Sequence, residues 1–321
     1  MDYGAEGFRL DSQFNDSEKK EPQVISSRII PFTGLYVLDH GMNKPKIVFI
    51  HGAMDRARSF SGVMRELHPK RTVAYDRRGY GRSRNLRPEI SLSIESNVKD
   101  LKSVIEDEDV VLVGHSFGGV IALCAAQAIS PQTRAVKDSA VNVSTSDSNS
   151  TQVGPTASIT KTNNKESNFF HQIKGIAIYE MPQPWTEFWQ SAGQTPGSLV
   201  RSSKTPDEAV DSFMSRMLGQ KRWNDTSIRV KEDRRSEGKA LIADLSKLYE
   251  SKPFNEGLIE VPVLIGYGSR SSERHQLGAN YLASKLKHSK TREFKGGDHQ
   301  AHRKLPKDFA RFVNELLDLL S

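Results

Sequence analysis

Ser116 sits in Gly114-His115-Ser116-Phe117-Gly118-Gly119, a Gly-x-Ser-x-Gly pentapeptide with one further glycine. The apolar run Val110-Val111-Leu112-Val113 leads into it, and Val120-Ile121-Ala122-Leu123-Cys124-Ala125-Ala126 leads out. The first run reads as a buried strand and the second as a helix. A serine on the sharp turn between a strand and a helix is a nucleophile elbow. Such a turn needs an open backbone on both sides of the serine, which Gly114 and Gly118 supply. The helix begins directly after the serine, so its unpaired backbone N–H groups face whatever the hydroxyl attacks.

The elements that must position this serine can be traced along the chain. Residues 1–26 lack periodicity and are expected to form a loosely ordered tail. Strands are predicted over 27–32, 35–38, 47–50, 72–75 and 110–113, with a polar helix over 57–67. Ile94, Val98, Leu101 and Ile105 recur at helical spacing and mark one helix face. Residues 27–130 therefore read as the first half of a strand–helix core. Residues 131–168 hold no aromatic side chain and are rich in Ser, Thr, Asn, Lys and Asp, the composition of a disordered insert. A core strand is expected within 169–180, ending at Glu180. Residues 181–255 break the rhythm, hold all three tryptophans, and carry helical stretches over 206–218 and 239–249. Leaving from the C-terminal end of a strand, this segment must start over the same edge as Ser116, as a helical cap. The core resumes over 256–321 with strands at 261–267 and 291–294, a helix over 272–287, and a final amphipathic helix through Phe309, Phe312, Val313, Leu316, Leu317 and Leu320. Alternating strands and helices imply an α/β fold with a doubly wound, mostly parallel sheet, and sites that collect at its C-terminal edge.

Composition narrows the function classes. The 321 residues carry a net charge of +7, spread along the chain, which does not favour a nucleic-acid partner. The lone cysteine, Cys124, lies in an apolar setting and is expected to pack. No apolar run approaches the roughly 18 residues needed for a membrane span. These features point to a cytoplasmic protein acting on a small-molecule substrate; the oligomeric state is left open.

Four motifs in order carry a resemblance: His51-Gly52 after an early strand, Asp76-Arg77-Arg78-Gly79-Tyr80-Gly81-Arg82-Ser83 after the next, the Ser116 elbow, and the late Gly297-Asp298-His299. Together they resemble the α/β-hydrolase fold family, in its capped, serine-nucleophile branch, over roughly 27–130 and 171–320. The resemblance implies that Ser116 is the nucleophile and His299 its general base. It implies an oxyanion hole from the backbone N–H groups of Phe117 and Ala53, with Met54 a near alternative. The family commonly places its acid after the strand that here ends at Tyr267, but that loop, Gly268-Ser269-Arg270-Ser271-Ser272-Glu273, holds no aspartate. Some branches carry the acid one strand earlier, where Glu180 stands. Glu180 is the preferred third member, and Glu273 the alternative. A carboxylate at a buried strand end needs a partner, whereas one near a helix start is already accounted for by the helix dipole.

The remaining candidates have plainer expectations. His51 is expected to hold backbone, Asp76 to anchor its own loop, Asp298 to point away from His299, and His302 to be an ordinary surface histidine. Trp185 and Trp189, four apart, are candidates for a substrate pocket together with Met54. The cap arginines Arg201, Arg216, Arg222, Arg229, Arg234 and Arg235 read as a solvated face, with an acidic substrate as the alternative. A serine at the elbow argues against the dehalogenases and epoxide hydrolases of this fold, which use aspartate. Carboxylesterases, thioesterases, lactonases, carbon–carbon bond hydrolases, acyltransferases and cofactor-free perhydrolases all share the serine, and a non-catalytic binding protein on this fold is a further option. No metal or cofactor is expected.

Overall fold

The computed structural model describes residues 24–86, 91–128, 172–191 and 193–321. The expected insert at 131–168 and nearly all of the expected tail lie outside the described residues. Eight strands form one sheet: β1 (Ser26–Ile29), β2 (Tyr36–His40), β3 (Asn43–Ile50), β4 (Lys70–Tyr75), β5 (Val110–His115), β6 (Ile173–Tyr179), β7 (Val263–Gly268) and β8 (Ser289–Phe294). Their spatial order is β1-β2-β4-β3-β5-β6-β7-β8. β1 and β2 run antiparallel, as do β2 and β4, and every later pair is parallel. The order reverses around β3, and its neighbour β5 leads into the elbow, so Ser116 stands at the crevice favoured in open parallel sheets.

Strand alternation divides the core. Val48, Ile50, Leu112, Ile176 and Ile178 face one side, where they pack with α2 (Ile94–Ile105) and α3 (Phe117–Gln127). Phe49, Val111, Val113, Ala177 and Tyr179 face the other. There Phe309, Phe312, Val313 and Leu316 of the C-terminal helix Pro306–Leu319 cover them. The helical stretch at 57–67 divides into a 3₁₀ turn, Ala57–Phe60, and α1, Ser61–Glu66. The first strand is shorter than its composition suggests. It ends at Ile29, and the chain reverses through a tight turn with Gly34 N–H on the Ile30 carbonyl, leaving Phe32 almost fully exposed.

Among the described residues between β6 and β7, six α-helices form the cap: α4 (Glu187–Gln190), α5 (Pro196–Ser202), α6 (Pro206–Leu218), α7 (Gln220–Asn224), α8 (Ile228–Arg235) and α9 (Gly238–Glu250). The starts of α5 and α6 follow local rules. Thr195 and Thr205 cap them through their side chains, and Pro196 and Pro206 occupy the first turn. The cap has a small core of its own, in which Val210, Phe213, Trp223 and Leu241 meet Met54 and Tyr80 from the sheet side. A buried ion pair joins cap to sheet. Arg77, from the loop after β4, reaches Asp244 of α9 at 2.5 Å, and the Tyr80 hydroxyl donates to the same carboxylate at 2.7 Å. Breaking such a pair strands a charge in the interior, so the cap is anchored where it crosses the sheet edge.

Candidate active site

Ser116 occupies the turn between β5 and α3 with φ 52° and ψ −125°, a conformation rarely adopted by residues with a side chain. Two close approaches make it possible. A Cβ on Gly118 would lie 2.0 Å from the Ile50 carbonyl oxygen, and one on Gly114 would lie 2.6 Å from the backbone of Gly118 and Gly119. Strand, turn and helix interlock there, and a methyl group at either position would force them apart. Gly52 backs onto the serine, since a Cβ there would meet Ser116 Cβ at 2.8 Å. The following residue, Ala53, lines the same cavity as Ser116. Phe117 opens α3, where first-turn N–H groups have no partner within the helix.

Glu180 is the first residue beyond β6. It has φ 50°, so the strand end carries strain as the elbow does. Its carboxylate is almost wholly buried and fully engaged. Oε2 accepts from His299 Nδ1 at 2.8 Å, Oε1 accepts from Gly268 N–H at 2.8 Å, and the Ser271 hydroxyl donates to the same oxygen. Burial alone would raise its pKa, but the hydrogen bonds, led by that from His299, outweigh it and hold the group at about 2. Glu180 is therefore ionised across the neutral range. The acceptor on Nδ1 leaves the His299 Nε2 to the cavity. Glu273 instead sits in the first turn of the helix Glu273–Lys285 and is exposed. Asp298 turns to Lys304 and to the Gln300 N–H, while its backbone carbonyl accepts from the Tyr179 hydroxyl at 2.8 Å.

Ser116, Glu180 and His299 line one cavity of about 480 Å³ beneath the cap. Among the described residues Ser116 Oγ has no hydrogen-bond partner. Trp189 lines the cavity. Trp185 and Met54, expected beside it, do not. Trp185 packs edge-on against Phe254 at 5.6 Å and joins the core under the sheet. Met54 is buried in the cap core, and its carbonyl accepts from Arg234 at 3.0 Å.

His51 and Asp76 hold backbone. His51 Nδ1–H donates to the Gly52 carbonyl at 2.7 Å while Nε2 accepts from Arg77 N–H at 2.9 Å, and burial lowers its pKa to about 3. The Asp76 carboxylate accepts from the N–H groups of Ala57 and Arg82, each at 2.8 Å. His302 corrects the expectation of a surface residue: it is 2% exposed. It pairs with Asp55 at 3.1 Å, and its ring lies 4.1 Å from that of His115. His115 Nε2–H in turn donates to the backbone carbonyl of His299 at 2.8 Å.

His275 was not singled out by sequence. It lies 3.7 Å from Glu180 and stacks on His299 with ring centroids 5.3 Å apart. Burial lowers its pKa to about 3, so it is neutral at pH 7. A histidine two residues into a helix has no local signal for this role; only the packing of β7 and its helix beside β6 makes it a neighbour. Two groups, Glu180–His275–His299 and Asp55–His115–His302, have ligand atoms within 4.8 Å of one another, a spacing compatible with a cation. Glu180 and Asp55 are each engaged by a histidine, while the Nδ1 atoms of His115, His275 and His302 are buried with no hydrogen-bond partner among the described residues.

Residues 47–311 match the alpha/beta hydrolase family. The chain belongs to that family. An uncharacterized protein of Mycobacterium tuberculosis strain H37Rv is 40% identical over 81 residues, 25% of this chain and 24% of that protein. Protein phosphatase methylesterase 1 of Schizosaccharomyces pombe is 37% identical over 101 residues, 27% of this chain and 29% of that protein. The chain thus matches about a quarter of the length of these curated relatives. Among solved structures, a bromoperoxidase from Bacillus anthracis superposes with a TM-score of 0.59 at 18% identity, covering 92% of this chain and all of that one. At that identity the likeness is one of fold. This alpha/beta hydrolase has no helix among its described residues long and apolar enough to cross a membrane.

Proposed function

We propose that this protein is a serine hydrolase that cleaves an ester-like bond, a carboxylic ester, thioester or lactone, through an acyl-enzyme on Ser116. The observation that carries the reading is the 2.8 Å contact between Glu180 and His299 Nδ1 at the edge of the cavity that Ser116 enters. In this reading His299 Nε2 takes the Ser116 proton as Oγ attacks the carbonyl carbon. The negative charge that develops on the carbonyl oxygen is received by the Phe117 and Ala53 N–H groups. His299 returns the proton to the leaving oxygen or sulfur, and the acyl group remains on Ser116. Water, deprotonated by the same nitrogen, then releases the acid and restores the serine. Glu180 fixes the histidine tautomer and stabilises its charged form. The serine at the elbow supports this chemistry over displacement by an aspartate, and the fission-yeast relative is named as a methylesterase.

The test is the hydrolysis of p-nitrophenyl acetate together with labelling by a fluorophosphonate. Ser116→Ala is expected to abolish labelling and to lower turnover by up to about 10⁶, the scale found when a serine nucleophile is removed. A purified, folded Ser116→Ala protein with full activity would overturn the proposal. A wild-type protein inert to both reagents would instead indicate a binding protein on this fold.

A further inference from the structure

The charged groups around the cavity do not balance. Four cations line it, Arg222, Arg270, Arg274 and Lys304, against two carboxylates, Glu180 and Asp298. Both carboxylates are already engaged, Glu180 by His299 and Ser271, and Asp298 by Lys304. Arg222 and Arg270 are exposed and therefore hydrated. Arg274, on the first turn of the helix Glu273–Lys285, is different. It is only partly exposed, and its Nε is buried with no hydrogen-bond partner. Among the described residues no carboxylate pairs with it. Its guanidinium lies 5.2 Å from the centre of the Trp189 ring, which also lines the cavity. Burial, and then the nearby charge of Arg216, push its pKa down. A partly buried cation with an unpaired Nε, beside a second cation, is costly unless an anion joins it.

We propose that Arg274 is the specificity-determining residue of this cavity, and that the ester cleaved there carries a carboxylate which pairs with its guanidinium. The inference rests on the serine-hydrolase reading above and names its substrate class. A guanidinium presents two parallel N–H donors that match the two oxygens of a carboxylate. The Trp189 ring packs beside that fork and limits its freedom, which lowers the ordering cost when a carboxylate meets it. Apolar side chains, Phe213, Met217, Leu218, Leu245 and Leu248, line the same cavity. They suit a short hydrocarbon chain between the ester and the carboxylate. Of the cap arginines, Arg229 is exposed and Arg235 pairs with Asp211 at 2.7 Å, as on a solvated face; the arginine that meets the substrate is Arg274, outside the cap.

Four p-nitrophenyl or acetyl esters test this. Monoadipate set against hexanoate places the charge on the acyl side, and acetylated 4-hydroxybenzoate set against phenyl acetate places it on the leaving group. Wild-type protein is expected to favour the anionic member of at least one pair by tenfold or more in kcat/KM. Arg274→Gln should lower kcat/KM for that ester ten- to hundredfold, mainly through KM, and change its neutral counterpart less than threefold. Arg274→Lys should recover part of the loss. Equal preference in both pairs, or an equal loss on anionic and neutral esters in the variant, overturns the inference while leaving the serine-hydrolase reading intact. Absence of all hydrolysis and of fluorophosphonate labelling overturns both. If the variants fail to fold, wild-type protein decides: glutarate should inhibit neutral-ester hydrolysis at least tenfold better than glutaramide, and equal inhibition overturns the inference.

Discussion

Two histidine–carboxylate clusters lie side by side at the C-terminal edge of the sheet. In one, Glu180 meets His299 at 2.8 Å, and in the other Asp55 meets His302 at 3.1 Å. Both carboxylates are held well below the ordinary range even though burial, the largest single influence, opposes it, because the histidine hydrogen bond and the other groups around each carboxylate together outweigh desolvation. The difference is access. The side chain of His299 is 25% exposed and lines the cavity, whereas that of His302 is 1% exposed and is closed in by His115 and Phe60. Similar chemistry therefore has two outcomes. A pair that opens onto a cavity is available to move a proton to and from a substrate. A pair whose histidine is shut in contributes to the interior, and here it sits against the elbow through His115.

The largest expected effect separates the pairs by activity. Glu180→Gln should lower kcat by roughly 10²–10⁴, the range for loss of a triad acid, while Asp55→Asn should change it less than about tenfold. Steady-state kinetics on a neutral ester would reveal it, and a Glu180→Gln protein with full activity would remove Glu180 from the mechanism. Stability should show the reverse order. Asp55→Ala leaves His302 buried without its partner and is expected to cost about 1–3 kcal/mol in urea unfolding at pH 7. A loss below about 0.5 kcal/mol would mean that the sealed pair does not hold the edge together.

Acid sharpens the comparison. Folded His51 and His275 titrate at about 3, and burial also depresses His115 well below its ordinary value. The unfolded chain binds these protons from about pH 6.5 downward and the native state does not, so stability falls as pH drops from 6.5 toward 3. Each group contributes up to about 1.4 kcal/mol per pH unit. Glu180 acts lower: its contribution is complete above the unfolded carboxyl pKa of 4.5 and is lost as pH falls through about 2. His275→Gln should flatten the slope of unfolding free energy between pH 6.5 and 5 by up to about 1.4 kcal/mol per unit. An unchanged slope would show that His275 is not held neutral. The smallest effect is expected from Glu273→Gln, less than about tenfold in kcat, since its carboxylate lies at an exposed helix start.

Much of the fold was legible because its signals are local. The apolar run before Ser116 and the glycines around it demand strand, turn and helix whatever surrounds them. The 206–218 helix follows from Thr205, Pro206 and its apolar spacing, and it forms over those residues. The preference for Glu180 over Glu273 rests on the family resemblance together with a local contrast, a charge at the end of an apolar strand set against a charge at a helix start. The errors fall where side-chain direction depends on distant packing. Trp185 and Trp189 are four apart, yet one faces Phe254 and the other the cavity.

The chain by itself determined the order of strands and helices, the elbow, and the residue types able to carry acyl chemistry, because each depends on neighbours within a few positions. Only the tertiary structure decided which of those residues meet. Glu180 and His299 are 119 positions apart, and Asp55 and His302 are 247. Such contacts arise from the parallel crossovers that bring every strand's C-terminal end to one edge, and no local pattern encodes them. Burial of His302, the neutral state of His275 and the unpaired Arg274 all follow from what distant segments place beside each residue. A charge or a ring takes its behaviour from the groups and the water around it, and those are set by the fold.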